Sequence, residues 1–424
     1  MDHEIRVVNG QSARFEAPAN MSPRRWIHLV IHPSTMRHPF HLPEKIRLAR
    51  CSRLAGVVVT LLCLSLAHGV AGPMLTAEGL TKTLEIGADA PDFDLPGVDG
   101  QRHSLKDYAE AKILMIVFTA NHCKTAQAYE ERLKQIVNDY LDKGVRVVAI
   151  GANDPQALSL SEMVYSDMGD SFAEMKIRAQ ERSFNYAYLY DGDTQATARA
   201  YGPVATPHVF IFDQARKLRY VGRVDNSEDT NNITQQDARA ALDALLAGKP
   251  VPVEKTRTFG CSIKWSEKRV SAARELAEME QEPVTLERAD TNTIQALMKN
   301  DGPKLRLINV WATWCGPCLR ELPDLVTMNR MYRNGNFEVV TLSADDPDKK
   351  DKVLAALQER KVACRNYLFN SRDKDALGTA LDPDWPGGFP YSILVAPGGK
   401  IIQRQMGEMD VMKFKKAIAY FPGR

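Results

Sequence analysis

The sequence predicts two α/β domains in tandem, preceded by an N-terminal export segment. Three observations carry this reading. The chain has 424 residues, and domains run to roughly 100–200 residues each. Continuous apolar runs suited to buried strands alternate with helical patterns, and the alternation occurs twice, each time closing on a hairpin. A cassette of apolar run, cysteine and amphipathic helix also occurs twice, as "VFTANHCKTAQAYEERL" from Val117 and as "NVWATWCGPCLRELPDL" from Asn309.

Composition narrows the class. Formal charge is +2, so nothing calls for a nucleic-acid partner. Residues 1–53 hold nine Lys/Arg against four Asp/Glu, a net of +5, which leaves −3 for the rest. Arg47, Arg50 and Arg53 precede a 14-residue apolar run, Leu54 to Ala67. That length suits a signal peptide and falls short of the ~20 residues of a membrane-spanning helix. Small residues at Gly69-Val70-Ala71 allow cleavage after Ala71, and an uncleaved signal anchor is the alternative. Residues 36–71 are therefore read as signal peptide or anchor. Residues 1–35 are read as a disordered extension or a misassigned start, with Met36 as the ordinary beginning. The expected location is the periplasm or cell envelope. Of seven cysteines, Cys51 and Cys63 lie in this leader, and Cys123, Cys261, Cys315, Cys318 and Cys364 remain. Five cysteines in so long a chain are no disulfide framework, and one C-x-x-C points to redox chemistry.

Along the first half, "LEIGADAPDFDLPGVDGQRHSLKDY" reads as a short hairpin. "KILMIVF" is a buried strand, and a helix follows from about Cys123 to Lys143. "VRVVAIG", "FNYAYLYD" and "HVFIFD" are strands, "ARKLRYVGRVD" completes a hairpin, and a helix ends before Gly248 and Pro250. Residues 266–289 are charged and helix-favouring, and read as a solvated helical linker between two globular halves. In the second half "LRLINVW", "FEVVTLSAD", "NYLFN" and "YSILVAP" are strands with "GGKIIQRQMG" as a hairpin partner. Helices run from about Cys315 to Tyr332, over "DKVLAALQER" and over "VMKFKKAIAYF".

The second cassette carries the clearer chemistry. Cys315 opens a helix, whose free N–H groups and partial positive charge favour thiolate, the attacking species. Cys318 follows one turn later and is placed to resolve a mixed disulfide. Pro317 fits the first turn, where its missing N–H has no partner to lose. Zinc binding would need more Cys/His ligands, and this half offers only Cys364 and no histidine, so no metal is expected. Cys364 reads as a buried structural residue. Phe389-Pro390 precedes a strand, a position compatible with a proline that cannot donate to the ladder.

The stretch "NVWATWCGPCLRELP" with "GGFPYSILVAPGGK" resembles the TlpA-like, membrane-associated thioredoxins of bacterial envelopes, over about residues 290–424. The resemblance implies a thioredoxin fold, with a central mixed sheet flanked by helices. It implies a thiol–disulfide oxidoreductase that reduces protein disulfides outside the cytoplasm, in some relatives during cytochrome c maturation. It also implies a cis Pro390 shaping the substrate groove with Trp314 and Phe389, no bound cofactor, and a membrane or envelope electron donor. Cytoplasmic thioredoxins carry a buried Asp six residues before the first cysteine to move a proton. Here that residue is Asn309. Glu321, three residues past Cys318, could substitute but is expected to be a solvated helix residue.

"APDFDLPGVDG" and "NHCKTAQAYEERL" resemble the redoxins of the alkyl-hydroperoxide-reductase and thiol-specific-antioxidant superfamily, over about residues 84–265. When Cys123 is laid over Cys315, Ala126 takes the place of Cys318, and Thr206-Pro207 that of Phe389-Pro390. Peroxiredoxins carry Thr or Ser three residues before the peroxide-attacking cysteine and Pro seven before, where this chain has Ala120 and Ile116. A thiol peroxidase built on Cys123 is thus one alternative, and a non-catalytic binding or assembly module is another. As an auxiliary redox group, Cys123 beside His122 could be resolved by Cys261 or by the C-x-x-C of the second half. Otherwise the first half is a degenerate substrate-binding module. His208 reads as a strand residue rather than a ligand.

Overall fold

The computed structural model describes residues 81–422. The segment expected to be a signal peptide or anchor, the possible start at Met36 and the extension before it lie outside these residues. Among the described residues no helix is long and apolar enough to cross a membrane.

The first domain begins with a small antiparallel pair, β1 (Asp94–Pro96) and β2 (Arg102–Ser104). Its main sheet follows the order β5-β4-β3-β6-β7, formed by Ala187–Tyr190, Val145–Gly151, Ile113–Thr119, His208–Phe212 and Leu218–Gly222 respectively. Strand β3 is parallel to β4 and antiparallel to β6. Six consecutive β3 residues, Ile113 to Phe118, are buried. Such a run belongs to a central strand covered on both faces. Each large apolar side chain there contributes about 1.5–3 kcal/mol by leaving water. Helix α1 (Lys124–Tyr140) springs from the end of β3. Three further helices follow, α2 (Phe172–Glu181), α3 (Ala196–Tyr201) and α4 (Asp237–Leu246). Helices α2 and α3 are additional to the elements expected from the sequence.

Helix α5 (Arg269–Glu280) lies in the segment read as a linker and is exposed along most of its length, with Met279 buried. Strand β8 (Glu287–Ala289) lies in the same segment, yet it pairs in parallel with β11 (Arg365–Phe369) as the edge of the second sheet. After α6 (Thr291–Lys299) the second domain repeats the first. Its sheet order is β8-β11-β10-β9-β12-β13, with β9 at Leu305–Trp311, β10 at Phe337–Ser343, β12 at Tyr391–Val395 and β13 at Ile401–Met406. Apart from β8, the strand order is that of the first domain. All seven residues of β9 are buried, Arg306 and Asn309 among them. Helices α7 (Gly316–Tyr332), α8 (Lys350–Glu359), α9 (Lys374–Leu381) and α10 (Val411–Ala419) cover the sheet. The chain is thus two thioredoxin-like α/β domains in tandem.

The halves are in direct contact rather than held apart by the linker. Met163 of the first domain is buried in the core that contains Cys315, Cys318 and Leu322 of the second. The Tyr332 hydroxyl donates to the Ser166 carbonyl at 2.8 Å. Tyr420 accepts from Arg178 at 2.8 Å and donates to Asp167 at 2.9 Å. The physical reason is apolar: Leu158, Leu160 and Met163 have no partner in a charged linker and find one on α7.

Candidate functional site

In the second domain the chain leaves central strand β9 and turns at once into α7, so the residue at the turn stands at the carboxyl end of the sheet and the amino end of a helix. That residue is Cys315, in extended conformation as the N-cap. Its Sγ accepts the Cys318 N–H at 3.2 Å, which satisfies one of the helix's free donors. Cys315 and Cys318 are joined by a disulfide of 2.06 Å. Their access differs: Cys315 is 7% exposed and Cys318 0%. Thr313 anchors the approach to the turn, donating from its backbone N–H and its hydroxyl to the buried Asp345 at 2.9 and 2.6 Å.

Around Cys315 lies an aromatic rim. Trp314 is 63% exposed and meets Phe389 edge-on at 5.3 Å. Trp385 meets Phe389 in the same way at 5.4 Å and stacks on Tyr391 at 5.6 Å. The Trp385 indole N–H donates to the Gly388 carbonyl at 3.0 Å. A groove of about 450 Å³ runs beside these rings, lined by Gly378, Asp382, Trp385, Gly387 and Phe389. The Phe389-Pro390 peptide is cis, as is Thr206-Pro207 in the first domain. Each precedes its strand, β12 or β6. Sequence reasoning missed Trp385, whose only signal was a Trp in the Gly/Pro-rich stretch before Phe389.

Beneath the cysteines sits a polar cluster that corrects one expectation. Glu321 is not solvated: it is 2% exposed. Three residues past Cys318 is one turn of helix, so both side chains face inward. Asn309 donates to Glu321 at 2.6 Å, and the Met409 backbone N–H donates at 3.0 Å. Asn309 also donates to Ser392 at 2.9 Å. Burial pushes the Glu321 carboxyl up to about 7, and the two hydrogen bonds only partly oppose it. A carboxyl of that affinity, one turn from a buried sulfur, can take and return a proton near neutral pH.

The first domain places Cys123 in the same position, as the extended N-cap of α1, with its Sγ accepting the Ala126 N–H at 3.4 Å. Cys123 is 0% exposed. Cys261, partly exposed and without a disulfide, packs against it. The Cys261 backbone N–H donates to Cys123 Sγ at 3.4 Å, and Thr206 pairs with Cys261 in an isolated antiparallel bridge. The hydrogen bond from the Cys261 thiol is the chief cause lowering the Cys123 pKa. It prevails over burial with help from the Ala126 and Cys261 N–H donors, while the protonated thiol donates to the Thr206 carbonyl at 3.2 Å. The Cys261 pKa is correspondingly raised, by that bond and by burial. His122 is buried and meets Asp170 at 2.5 Å. Burial disfavours its imidazolium, but the Asp170 carboxylate outweighs this and raises its pKa. His208 begins β6 and accepts the Val204 N–H, and burial lowers its pKa to about 4. In the second domain Cys364 is partly exposed rather than fully buried as expected, and the desolvation it does suffer raises its pKa to about 12, which leaves a neutral thiol.

The structure therefore brings Cys315, Cys318, Trp314, Phe389 and Pro390 together, and separately Cys123, His122, Thr206, Pro207 and Cys261. Comparison with known proteins adds the lineage. Residues 86–221 match the AhpC/TSA family and residues 280–418 match the Redoxin family. The chain is 26% identical over 106 residues to the thiol-disulfide oxidoreductase ResA of Bacillus cereus, an alignment covering 24% of this chain and 54% of that protein. It thus spans about half the length of that relative. It is 27% identical over 177 residues to the thiol:disulfide interchange protein HelX of Rhodobacter capsulatus, covering 41% of this chain and 76% of that one. A solved structure of an uncharacterized conserved protein from Geobacillus kaustophilus is 39% identical, covering 44% of this chain and 94% of that one, with a TM-score of 0.39. The chain thus carries an AhpC/TSA-family domain followed by a Redoxin-family domain, two thioredoxin-fold units in tandem.

Proposed function

We propose that this protein is an exported thiol–disulfide oxidoreductase that reduces protein disulfides through Cys315 and Cys318. The observation that carries the proposal is the asymmetry of that pair. Cys315 sits on a helix N-terminus with 7% of its surface exposed, and Cys318 lies wholly buried behind it. Relatives named for thiol–disulfide exchange support the reaction class. The basic and apolar leader supports export.

In the reduced enzyme the Cys315 thiolate attacks one sulfur of a substrate disulfide, and the other sulfur leaves as a thiolate. Cys318 then attacks Cys315 Sγ and expels the second substrate thiolate, closing the Cys315–Cys318 disulfide. Its proton passes to Glu321, whose affinity near pH 7 suits the transfer. Two electrons move from the cysteine pair to the substrate, and an envelope electron donor restores the dithiol. Trp314, Phe389 and Pro390 form the apolar lip that receives the substrate chain, and Trp385 backs Phe389. No cofactor enters the exchange.

The test is trapping. Cys318→Ser should accumulate stable mixed disulfides between Cys315 and envelope proteins, and Cys315→Ser should abolish insulin reduction. Capture of no protein by Cys318→Ser, with insulin reduction intact in Cys315→Ser, would refute the proposal.

A further inference from the structure

The first domain lacks a thiol at the position of Cys318, which Ala126 fills, yet a second sulfur reaches Cys123 from elsewhere. Residues 258–263 run across the end of β6 as a strap. The Thr258 hydroxyl donates to the Pro207 carbonyl at 2.8 Å, and the Thr206 N–H donates to the Cys261 carbonyl at 2.9 Å. Gly260 lies so close that a Cβ there would stand 1.9 Å from the Thr206 carbonyl oxygen, at a φ of +135°. Only glycine permits this approach. Beyond it Ile263 is buried, and the Lys264 N–H donates to the buried Asn153 at 2.8 Å. The strap is therefore fastened on both sides of Cys261, and it holds that residue against Cys123.

We propose that Cys123 and Cys261 form a second dithiol–disulfide couple, in which Cys261 is the sulfur that meets outside thiols and Cys123 the sulfur that receives the electrons. Exposure assigns the roles, since Cys123 is wholly buried and Cys261 is partly exposed. In the oxidised pair, one thiolate of an external dithiol attacks Cys261 Sγ. The Cys123–Cys261 bond breaks, and its electron pair stays on Cys123 Sγ, which accepts the Ala126 and Cys261 N–H groups. A stabilised thiolate is the faster leaving group. The donor's second thiolate then attacks its own sulfur in the mixed disulfide and releases Cys261, which takes a proton from solvent. The external dithiol ends as a disulfide, and the pair ends as a thiolate and a thiol. An external disulfide drives the same steps in reverse.

The full chain carrying Cys315→Ser and Cys318→Ser isolates this couple, so failure of the oxidoreductase proposal leaves it standing. The protein is equilibrated in mixtures of reduced and oxidised dithiothreitol, alkylated and mapped by mass spectrometry. Cys123 and Cys261 should lose their free thiols together and appear as one cross-linked peptide pair. The same pair should appear in the unmutated chain, where the Cys315–Cys318 peptide is distinguished by mass. Gly260→Ala should lower the equilibrium constant for closure by roughly tenfold or more, because it lifts the strap. With oxidised glutathione, Cys123→Ser should take up glutathione on Cys261, and Cys261→Ser should react at Cys123 slower by roughly tenfold or more. Cys123 and Cys261 oxidising independently, or the absence of the cross-linked pair in fully oxidised dithiothreitol, would overturn the couple. Equal glutathione uptake by both single variants would overturn the assignment of roles.

Discussion

Replacing Glu321 by Gln tests the polar cluster under the C-x-x-C. The carboxyl has an ordinary value of 4.5 and is raised to about 7 in the folded protein, chiefly by burial. That displacement corresponds to about 3 kcal/mol between protonated and charged forms. The sign follows from proton counting. Between these two values the folded state holds a proton that the unfolded chain releases, so stability falls as pH rises from about 4.5 to about 7 and is flat above. Gln cannot titrate, and an amide flip of Asn309 lets it keep one partner while Met409 keeps the other. Urea unfolding of the oxidised protein at a series of pH values, followed by tryptophan fluorescence, should show the stability difference shifting by about 3 kcal/mol in favour of Glu321→Gln between pH 4.5 and 8. The resolution step of the reduced enzyme should lose its acid limb near pH 7 and slow by roughly a hundredfold. Parallel stability curves for the two proteins, with an unchanged pH–rate profile, would refute the assignment of a buried, proton-transferring Glu321.

Further outcomes follow from the same contacts. Asn309→Ala removes a donor that favours the Glu321 carboxylate, so the acid limb should move to higher pH in the same rate assay. Asp170→Ala strips a buried imidazolium of its partner, which should destabilise the first domain by about 3–5 kcal/mol. The His122 pKa, read by NMR, should fall. In the unmutated protein this pair's stabilisation is lost as pH rises through the raised His122 value and as pH falls through the lowered Asp170 value. Tyr420→Phe removes both hydrogen bonds linking Arg178 and Asp167 to the second domain. It should cost about 1–3 kcal/mol, seen as a lower unfolding midpoint and faster proteolysis between residues 158 and 170. Trp314→Ala should leave stability within about 0.5 kcal/mol, because the ring is largely exposed, while raising KM for a protein disulfide.

Several features were legible in the residues alone. The apolar run at 113–118 and the largely apolar stretch at 305–311, each short and rich in β-branched or aromatic residues, fit central strands, and both are central strands. A cysteine directly after such a strand and before an amphipathic stretch lands on a helix N-terminus, as Cys123 and Cys315 do. These are local consequences of burial and hydrogen-bond supply, so spacing suffices to read them. Pro323 shows the limit of local rules: α7 runs through it and gives up one backbone hydrogen bond, because Leu322, Leu325 and Met328 are buried on either side.

Long-range packing decided the rest. The spacing of Glu321 from Cys318 sets only the face of the helix it occupies; the partners that enclose its carboxyl, Asn309 on the central strand and the Met409 N–H 88 residues on, are brought to it by the fold. The interface between the halves depends on Met163, Ser166 and Tyr420, which have no shared pattern until the folds are docked. The pairing of Cys123 with Cys261 spans 138 residues and depends on Gly260 passing against Thr206. Periodicity records which face of an element meets the core, since that is set by neighbours a few residues away. Which remote side chain meets a buried sulfur or carboxyl is set only when separate elements close on one another, and that information lies in the tertiary fold.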